Sequence, residues 1–295
     1  MRSGLSHIGE FGGLFKEAGR SFVRNNMSSM ASAIAYDALL SLAPLLLLLV
    51  GAFRLLVGVK AVEEQIILQV GDSLGPKAVP AVSLLLDNIT SSRSEVLAVG
   101  GGTIALLVIF STGFLRQFIQ ALNVVWKVGE AQEGRKGFLG GILQYIRTHF
   151  FASLMLICIG LYLYASMLMK AVSVAQGRHL IQGMPVLERL FPQLPHLIGS
   201  VALFPFFMLA FRVLPARRIA WKDVWCGALV TTALFWVINR VIVYYLQHTA
   251  AESFYGAAGS FVIVLLWVYW AAMIILYGAE FTKAWAERYG TLRGK

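Results

Sequence analysis

The sequence predicts an all-α, polytopic membrane protein with six transmembrane helices, amphipathic interfacial helices and both termini in the cytoplasm. Of the 295 residues, 58% are hydrophobic and 14% are charged, whereas soluble domains contain about 25% charged residues. The mean hydropathy is +0.72, and apolar stretches of about 20 residues, enough to cross a bilayer core, recur along the chain. So few charges cannot cover an ordinary water-facing surface, and the composition excludes an ordinary soluble enzyme.

An amphipathic arm precedes the predicted transmembrane domain. Residues 1–31 carry apolar side chains at helical spacing, with Lys16 and Arg20 elsewhere around the turn, which predicts a cytoplasmic helix lying on the inner leaflet. Because the arm has no apolar core, we expect no cleavable signal peptide. The apolar positions are Leu5, Ile8, Phe11, Phe15, Ala18 and Phe22.

Six apolar stretches within residues 32–281 predict the transmembrane helices, and residues 282–295 form a basic cytoplasmic tail. The fourth stretch is short and is interrupted by Pro205. Between the first two, residues 59–96 predict two short outer helices with breaks at Gly75-Pro76 and near Pro80. The predicted spans are residues 32–58, 97–114, 149–171, 196–211, 224–246 and 257–281.

The positive charges orient the predicted helices. The net charge is +10, and with the N-terminus inside, 17 lysines and arginines fall in cytoplasmic segments and 5 in outer segments. This is the asymmetry that the positive-inside rule describes. Most of the positive net charge is therefore explained by the orientation of the chain in the membrane, and we predict membrane lipids rather than nucleic acid as partners.

The loops between the predicted spans are short. Each has fewer than roughly 40 residues, the least that a domain without disulfides or metals needs to fold, so we expect no soluble catalytic domain.

The sequence carries no pattern typical of a metal site, a cofactor site or a hydrolytic centre. The five histidines stand singly, without His-x-His or His-Glu-x-x-His. No two carboxylates share a close helical spacing in the spans, as paired acid–base hydrolysis would need. Cys158 and Cys226 lie inside apolar runs and are expected to be buried. We therefore predict no cofactor, no metal and no enzymatic activity.

Several short patterns follow one another along nearly the whole chain. They are ASAIAYDALLSLAP (31–44), LNVVW (122–126), LPARR (214–218), Trp221 with Gly227-Ala228, FYGAAGS (254–260), LWVY (266–269) and GAE (278–280). In order and spacing they resemble the YihY/BrkB family of bacterial inner-membrane proteins, although Asp37 stands where that family more often has an aromatic or apolar residue.

The resemblance implies a six-helix inner-membrane protein whose biochemical activity is poorly defined, in a family often labelled ribonuclease BN. The residues argue against that label. Two hydrolytic metals must be held about 3.5–4 Å apart by clustered ligands, and the histidines of this chain are scattered. A ribonuclease is the least favoured interpretation.

Three basic residues inside the spans are candidates for substrate binding. Arg54 lies late in the first span, Lys170 ends the third, and Arg240 lies roughly 9 Å below the outer end of the fifth. Charges at such depth are costly and mark functional sites. Together they would form a cationic zone toward the outer leaflet, suited to an anionic headgroup such as phosphate. The alternative is that each side chain reaches the outer-leaflet headgroups separately.

Asp37 completes the candidate substrate site, in the inner half of the first span. Three interpretations of its carboxylate stay open: a proton carrier, a partner in a buried salt bridge, or a group shallow enough to be hydrated. Pro44 and Pro205 interrupt helical hydrogen bonding within spans. Such breaks either line cavities or are tolerated kinks.

Glu280, near the inner end of the sixth span, is predicted to form a structural ion pair with a cytoplasmic arginine, Arg116 or Arg212. The small residues of segment 256–260 predict close helix packing rather than a ligand site.

The sequence therefore predicts a transporter or translocator of an amphipathic or anionic small molecule, including a lipid-linked one, in the bacterial plasma (inner) membrane. Charged residues at membrane depth, with no soluble domain beside them, motivate this hypothesis. The alternative is a non-transporting scaffold for envelope partners. Convergence of Arg54, Asp37 and Arg240 on one cavity would favour transport, whereas separate contacts with lipid headgroups would favour the scaffold.

Overall fold

The computed structural model describes residues 2–53, 59–91, 101–128, 194–217, 219–248 and 259–293. All regular structure in these residues is helical, which confirms the all-α prediction for them. A short 3-10 helix, Pro76–Ala78, joins the third and fourth α-helices. The α-helices are α1 (Arg2–Arg24), α2 (Met27–Phe53), α3 (Val59–Leu74), α4 (Val79–Ser91), α5 (Gly101–Val125), α6 (Leu194–Val213), α7 (Trp221–His248) and α8 (Gly259–Arg288).

Among the residues that the structure describes, two helices are long and apolar enough to cross a membrane: residues Trp221–Tyr245 of α7 and Gly259–Arg288, which is α8. They coincide with the predicted fifth and sixth spans. Helices α2, α5 and α6 contain the predicted first, second and fourth spans in large part, and the predicted third span, 149–171, lies outside the described residues.

The predicted outer helices correspond to α3 and α4. The chain turns between them at Gly75, whose φ of 92° is favourable for glycine because it has no Cβ. Pro76 follows at the start of the 3-10 helix, where a missing backbone N–H costs little. The predicted break at Gly75 therefore lies between α3 and α4, whereas Pro80 lies in the first turn of α4 and does not interrupt it.

Among the described helices, α8 packs against α7, α2, α1 and α5. The largest hydrophobic cluster joins α2, α5, α6, α7 and α8 around the fully buried side chains of Trp126, Phe207, Phe211 and Leu276. Burial of such large side chains is the main favourable contribution to a packed core in water, and in a membrane it supplies close van der Waals contact.

Helices α7 and α8 are antiparallel and approach closely through two reciprocal glycine–threonine contacts. A Cβ added to Gly227 would collide with Thr282, and one added to Gly278 would collide with Thr231. Each threonine hydroxyl donates to the carbonyl four residues earlier in its own helix, at 2.7 Å, so neither is left without a hydrogen bond. Toward the other end, Trp267 Nε1 donates to Asn239 Oδ1 at 2.9 Å. Small residues thus bring the backbones together, as is common in membrane helix pairs.

Several segments rich in basic residues meet at one end of the bundle, which we call the basic end. The Ala216 amide donates to Asn123 Oδ1 at 2.8 Å, so the end of α5 holds the α6–α7 loop. The Thr291 hydroxyl donates to the buried carboxylate of Asp223, which ties the C-terminal turn to the start of α7. The α1–α2 turn, with Asn25, contacts α8 at the same end.

Candidate functional site

A cavity of about 450 Å³ lies at the basic end, between α1, the end of α5 and the last turns of α8. We call it the basic cavity. Five basic side chains line it: Lys16, Arg20, Arg24, Lys127 and Lys283. Three acidic side chains also line it: Glu17, Glu280 and Glu287. Five positive and three negative groups leave an excess of two positive charges, so the cavity favours an anion.

Helix α1 forms one wall because its apolar face is docked on α8. Leu14 and Ala18 are fully buried and belong to one hydrophobic cluster with Phe281 of α8. The Phe15 and Phe281 ring centroids are 4.9 Å apart, and the Tyr277 hydroxyl donates to the Phe15 carbonyl at 3.0 Å. The predicted amphipathic helix is therefore present, and part of its apolar face contacts protein.

Lys127 enters the cavity wall through the turn that ends α5. It has a φ of 48°, which is uncommon for a residue with a side chain. Its amide donates to the Val124 carbonyl, and the Val128 amide donates to the Asn123 carbonyl, both at 3.0 Å. This bonding satisfies the last carbonyls of the helix in the manner of a Schellman motif. Because glycine is the usual residue here, the lysine is held in place at a conformational cost.

Glu280 and Lys283 carry the two least exposed charges of the cavity lining. Glu280 is 1% exposed and Lys283 is 6% exposed. The Asn25 amide donates to Glu280 Oε1 at 2.5 Å. Within the described residues, Glu280 Oε2 and Lys283 Nζ have no hydrogen-bond partner. They lie one turn apart on α8, yet no ion pair joins them. Buried charges are normally paired, so two such groups in the lining of one cavity make it a candidate binding site for a polar ligand.

The residues predicted to bind substrate do not line this cavity. Asp37 is half-buried on α2, away from the lining. Arg240 is exposed on α7, with its guanidinium 5.7 Å from the centroid of the Trp236 ring. Arg54 and Lys170 lie outside the described residues. Neither Asp37 nor Arg240 therefore contributes to the basic cavity, and a role for them in substrate binding stays a prediction.

Glu280 has a different partner from the predicted one. Its hydrogen bond comes from Asn25, whereas Arg116 is exposed and the Arg212 guanidinium lies 5.3 Å from the centroid of the Trp221 ring. An amide in the α1–α2 turn reaches the carboxylate because α1 docks on α8, a contact that spacing along the sequence does not reveal.

Neither predicted helix break contributes to the basic cavity. Helix α2 continues through Pro44, and α6 continues through Pro205, which is exposed. No group of three or more His, Cys, Asp or Glu side chains that could hold a metal ion occurs among the described residues.

Sequence reasoning did not identify Lys283 as a site residue, because Lys283 counts among the positive charges that orient the chain. One signal was available: Lys283 follows Glu280 by three residues at the end of a long apolar helix, so both share one helix face. Asn25, Arg24 and Lys127 gave no comparable signal, since only tertiary packing brings them to α8.

Comparison with known proteins agrees with the resemblance of the short patterns. The family described as "Virulence factor BrkB" matches residues 18–295. A UPF0761 membrane protein of Saccharophagus degradans is 26% identical over 278 residues, covering 94% of this chain and 60% of that protein. One from Legionella pneumophila is 26% identical over 279 residues, covering 93% of this chain and 62% of that protein.

A third relative is nearer to this chain in length. The UPF0761 membrane protein of Vibrio vulnificus is 23% identical over 284 residues, covering 92% of this chain and 84% of that protein. By contrast, the chain spans about three fifths of the length of the first two relatives. No solved structure matches the chain. Because the family match covers nearly all of its residues, the chain belongs to the BrkB family of membrane proteins.

Proposed function

We propose that this chain is a multi-pass protein of the bacterial plasma membrane that moves an anionic or amphipathic small molecule, including a lipid-linked one, across or within the bilayer. It has no enzymatic activity in this proposal, and its partners are membrane lipids. The observation that carries the proposal is the basic cavity, with the buried and unpartnered ammonium of Lys283 on a helix long enough to span the membrane.

The proposal assigns six spans to the chain and places both termini and the basic end in the cytoplasm. The positive-inside rule supports this assignment, because the segments that meet at the basic end are those with most of the lysines and arginines. A cavity there would receive an anionic headgroup from the cytoplasm or the inner leaflet. The aromatic and aliphatic side chains exposed along α7, such as Trp236 and Tyr244, would face lipid.

Transport is tested with the purified full chain in vesicles of phosphatidylglycerol and phosphatidylethanolamine. An acyl-labelled phosphatidylglycerol whose outer-leaflet fluorescence is quenched chemically reports transbilayer movement. We expect faster movement with the wild-type chain than in empty vesicles, and a rate near that of empty vesicles with Lys283→Met. The control is Lys222→Met, which removes an exposed lysine that does not line the cavity. We expect it to match the wild type.

Equal rates in wild-type and empty vesicles would overturn the transport proposal and leave the non-transporting scaffold. Arg240→Ala in the same assay tests the predicted outer cationic zone. A loss of movement in this variant would give Arg240 a role in the pathway, whereas an unchanged rate would restrict Arg240 to its exposed contact with Trp236.

A further inference from the structure

We propose that Lys283 and Glu280 form a binding site for a phosphate ester that carries a hydrogen-bond donor next to the phosphate. Glycerol phosphate and phosphoethanolamine have this chemistry, either as free molecules or as the headgroups of phosphatidylglycerol and phosphatidylethanolamine. The inference deepens the proposed function and rests on it for the ligand's role, but it concerns equilibrium binding alone.

The first argument comes from Lys283. Its ammonium has three donors and no acceptor, and Nζ is buried without a partner among the described residues. The acidic groups near it belong to the cavity, but none accepts a hydrogen bond from it. A ligand that supplies an acceptor oxygen would satisfy it. The surplus of basic side chains in the lining, including Arg24 and Lys127, favours an oxygen that carries negative charge.

The second argument comes from Glu280, whose carboxylate needs a hydrogen-bond donor from the ligand. Its Oε1 already accepts from Asn25, and Oε2 is buried without a donor among the described residues. A bare anion placed against Lys283 would be repelled by this carboxylate. A ligand with a hydroxyl or ammonium beside its phosphate removes that conflict, because the phosphate contacts Lys283 and the neighbouring donor contacts Glu280.

The cavity is large enough for such a ligand. Its volume of about 450 Å³ falls within the range of roughly 300–1,000 Å³ that is typical of small-molecule sites. A single water molecule that bridges the two side chains is the competing explanation. In that case the side chains would need no ligand, and neither headgroup chemistry nor the charge of Lys283 would affect binding.

The experiment is a calorimetric titration of the full chain in detergent with short-chain phosphatidylglycerol, phosphatidylethanolamine and phosphatidylcholine. The phosphocholine headgroup has a phosphate but no donor. We expect the first two lipids to bind roughly tenfold more tightly than phosphatidylcholine. Titration with glycerol phosphate shows whether the acyl chains contribute. Comparable affinity assigns the site to free phosphate esters as well, and binding of the lipids alone assigns it to headgroups.

Three variants and one control separate the two arguments. Lys283→Met should weaken binding of every phosphate ligand by roughly tenfold to a hundredfold, and Lys283→Arg should restore part of it. Glu280→Gln presents a donor in place of an acceptor, so it should abolish the preference over phosphatidylcholine while binding persists. Lys222→Met should bind as the wild type does.

Absence of binding, equal affinity for phosphatidylcholine, or unchanged binding by a folded Lys283→Met variant would overturn the assignment. If Lys283→Met and Glu280→Gln lose their folded elution profile and thermal transition, Lys283→Arg decides: a preference over phosphatidylcholine in the folded variant supports the assignment, and loss of that preference overturns it. Binding without movement in the vesicle assay would reject transport and keep this site, so the two failures are distinguishable.

Discussion

Removing the ammonium of Lys283 should make the ligand-free protein more stable. Lys283→Met keeps an unbranched apolar stem of similar length and a similar helix propensity. It eliminates a charged donor that is 94% buried, since 6% of the residue is exposed, and that has no hydrogen-bond partner among the described residues. A residue selected only for folding would not carry this cost.

The expected gain follows from the cost of leaving a buried polar group unsatisfied. That cost is about 1–3 kcal/mol, and it is larger for charged groups. The nearby carboxylate of Glu280 offsets part of it, so we expect Lys283→Met to raise the free energy of unfolding by about 1–3 kcal/mol. The assay is thermal unfolding of the lipid-stripped protein in detergent. For soluble chains of comparable size the melting temperature rises by roughly 2–4 °C per kcal/mol.

Lys222→Met is the control and should change stability by less than about 0.5 kcal/mol, because Lys222 is exposed. Added phosphatidylglycerol should narrow the difference in stability between the wild type and Lys283→Met, because at a hundred times Kd a ligand stabilises its protein by about 2.7 kcal/mol and the variant binds the lipid more weakly. If Lys283→Met instead destabilises the ligand-free protein more than the control does, the ammonium already has a stabilising partner. The reasoning that a ligand supplies its acceptor would then be refuted.

Three further changes test the packing that builds the site. Gly278→Ala should lower the free energy of unfolding by about 1–3 kcal/mol in the same assay, because the new methyl group collides with Thr231. Asn123→Ala leaves the Ala216 amide without its acceptor and should cost about 1–3 kcal/mol, measured in the same way. Lys127→Gly should raise the free energy of unfolding by about 1 kcal/mol, since glycine adopts its positive φ freely. In the calorimetric titration this change should also weaken phosphate binding.

Each of these three predictions can be contradicted by a matched variant or by the opposite change in stability. Gly113 has open space around its Cβ position, so Gly113→Ala should be harmless or stabilising by about 0.5–1 kcal/mol. Equal effects of Gly113→Ala and Gly278→Ala would argue against the close α7–α8 contact. Asn123→Asp keeps an acceptor, and the loop hydrogen bond has no importance if this variant is as unstable as Asn123→Ala. A destabilising Lys127→Gly would mean that the lysine side chain has a structural role.

The sequence determined the helical class and most helix positions because hydrophobicity is local and additive along the chain. It was less successful at helix ends. Helix α5 continues from the predicted end at residue 114 to Val125, because Arg116 and the glutamines that follow are good helix formers. Helix α8 likewise continues to Arg288. Apolarity marks the part of a helix that suits a bilayer, whereas the helix itself ends at a capping turn.

The candidate site was harder to predict because its parts come from distant segments. The sequence predicts a structural ion pair for Glu280 with Arg116 or Arg212, but its partner is Asn25, which lies 255 residues away. Lys283 was counted as one positive charge among many, and only its burial separates it from the others. The distribution of charges along the sequence predicts how a membrane protein is oriented, but it does not show which lysine or arginine is buried.

The most direct test of the account is a cryo-electron microscopy map of the full chain in nanodiscs that contain phosphatidylglycerol. We predict phosphate density in the basic cavity within about 3 Å of Lys283 Nζ, with the glycerol hydroxyls on the side of Glu280 Oε2. A cavity that holds only water, or a direct ion pair between Lys283 and Glu280 that closes it, would contradict the account.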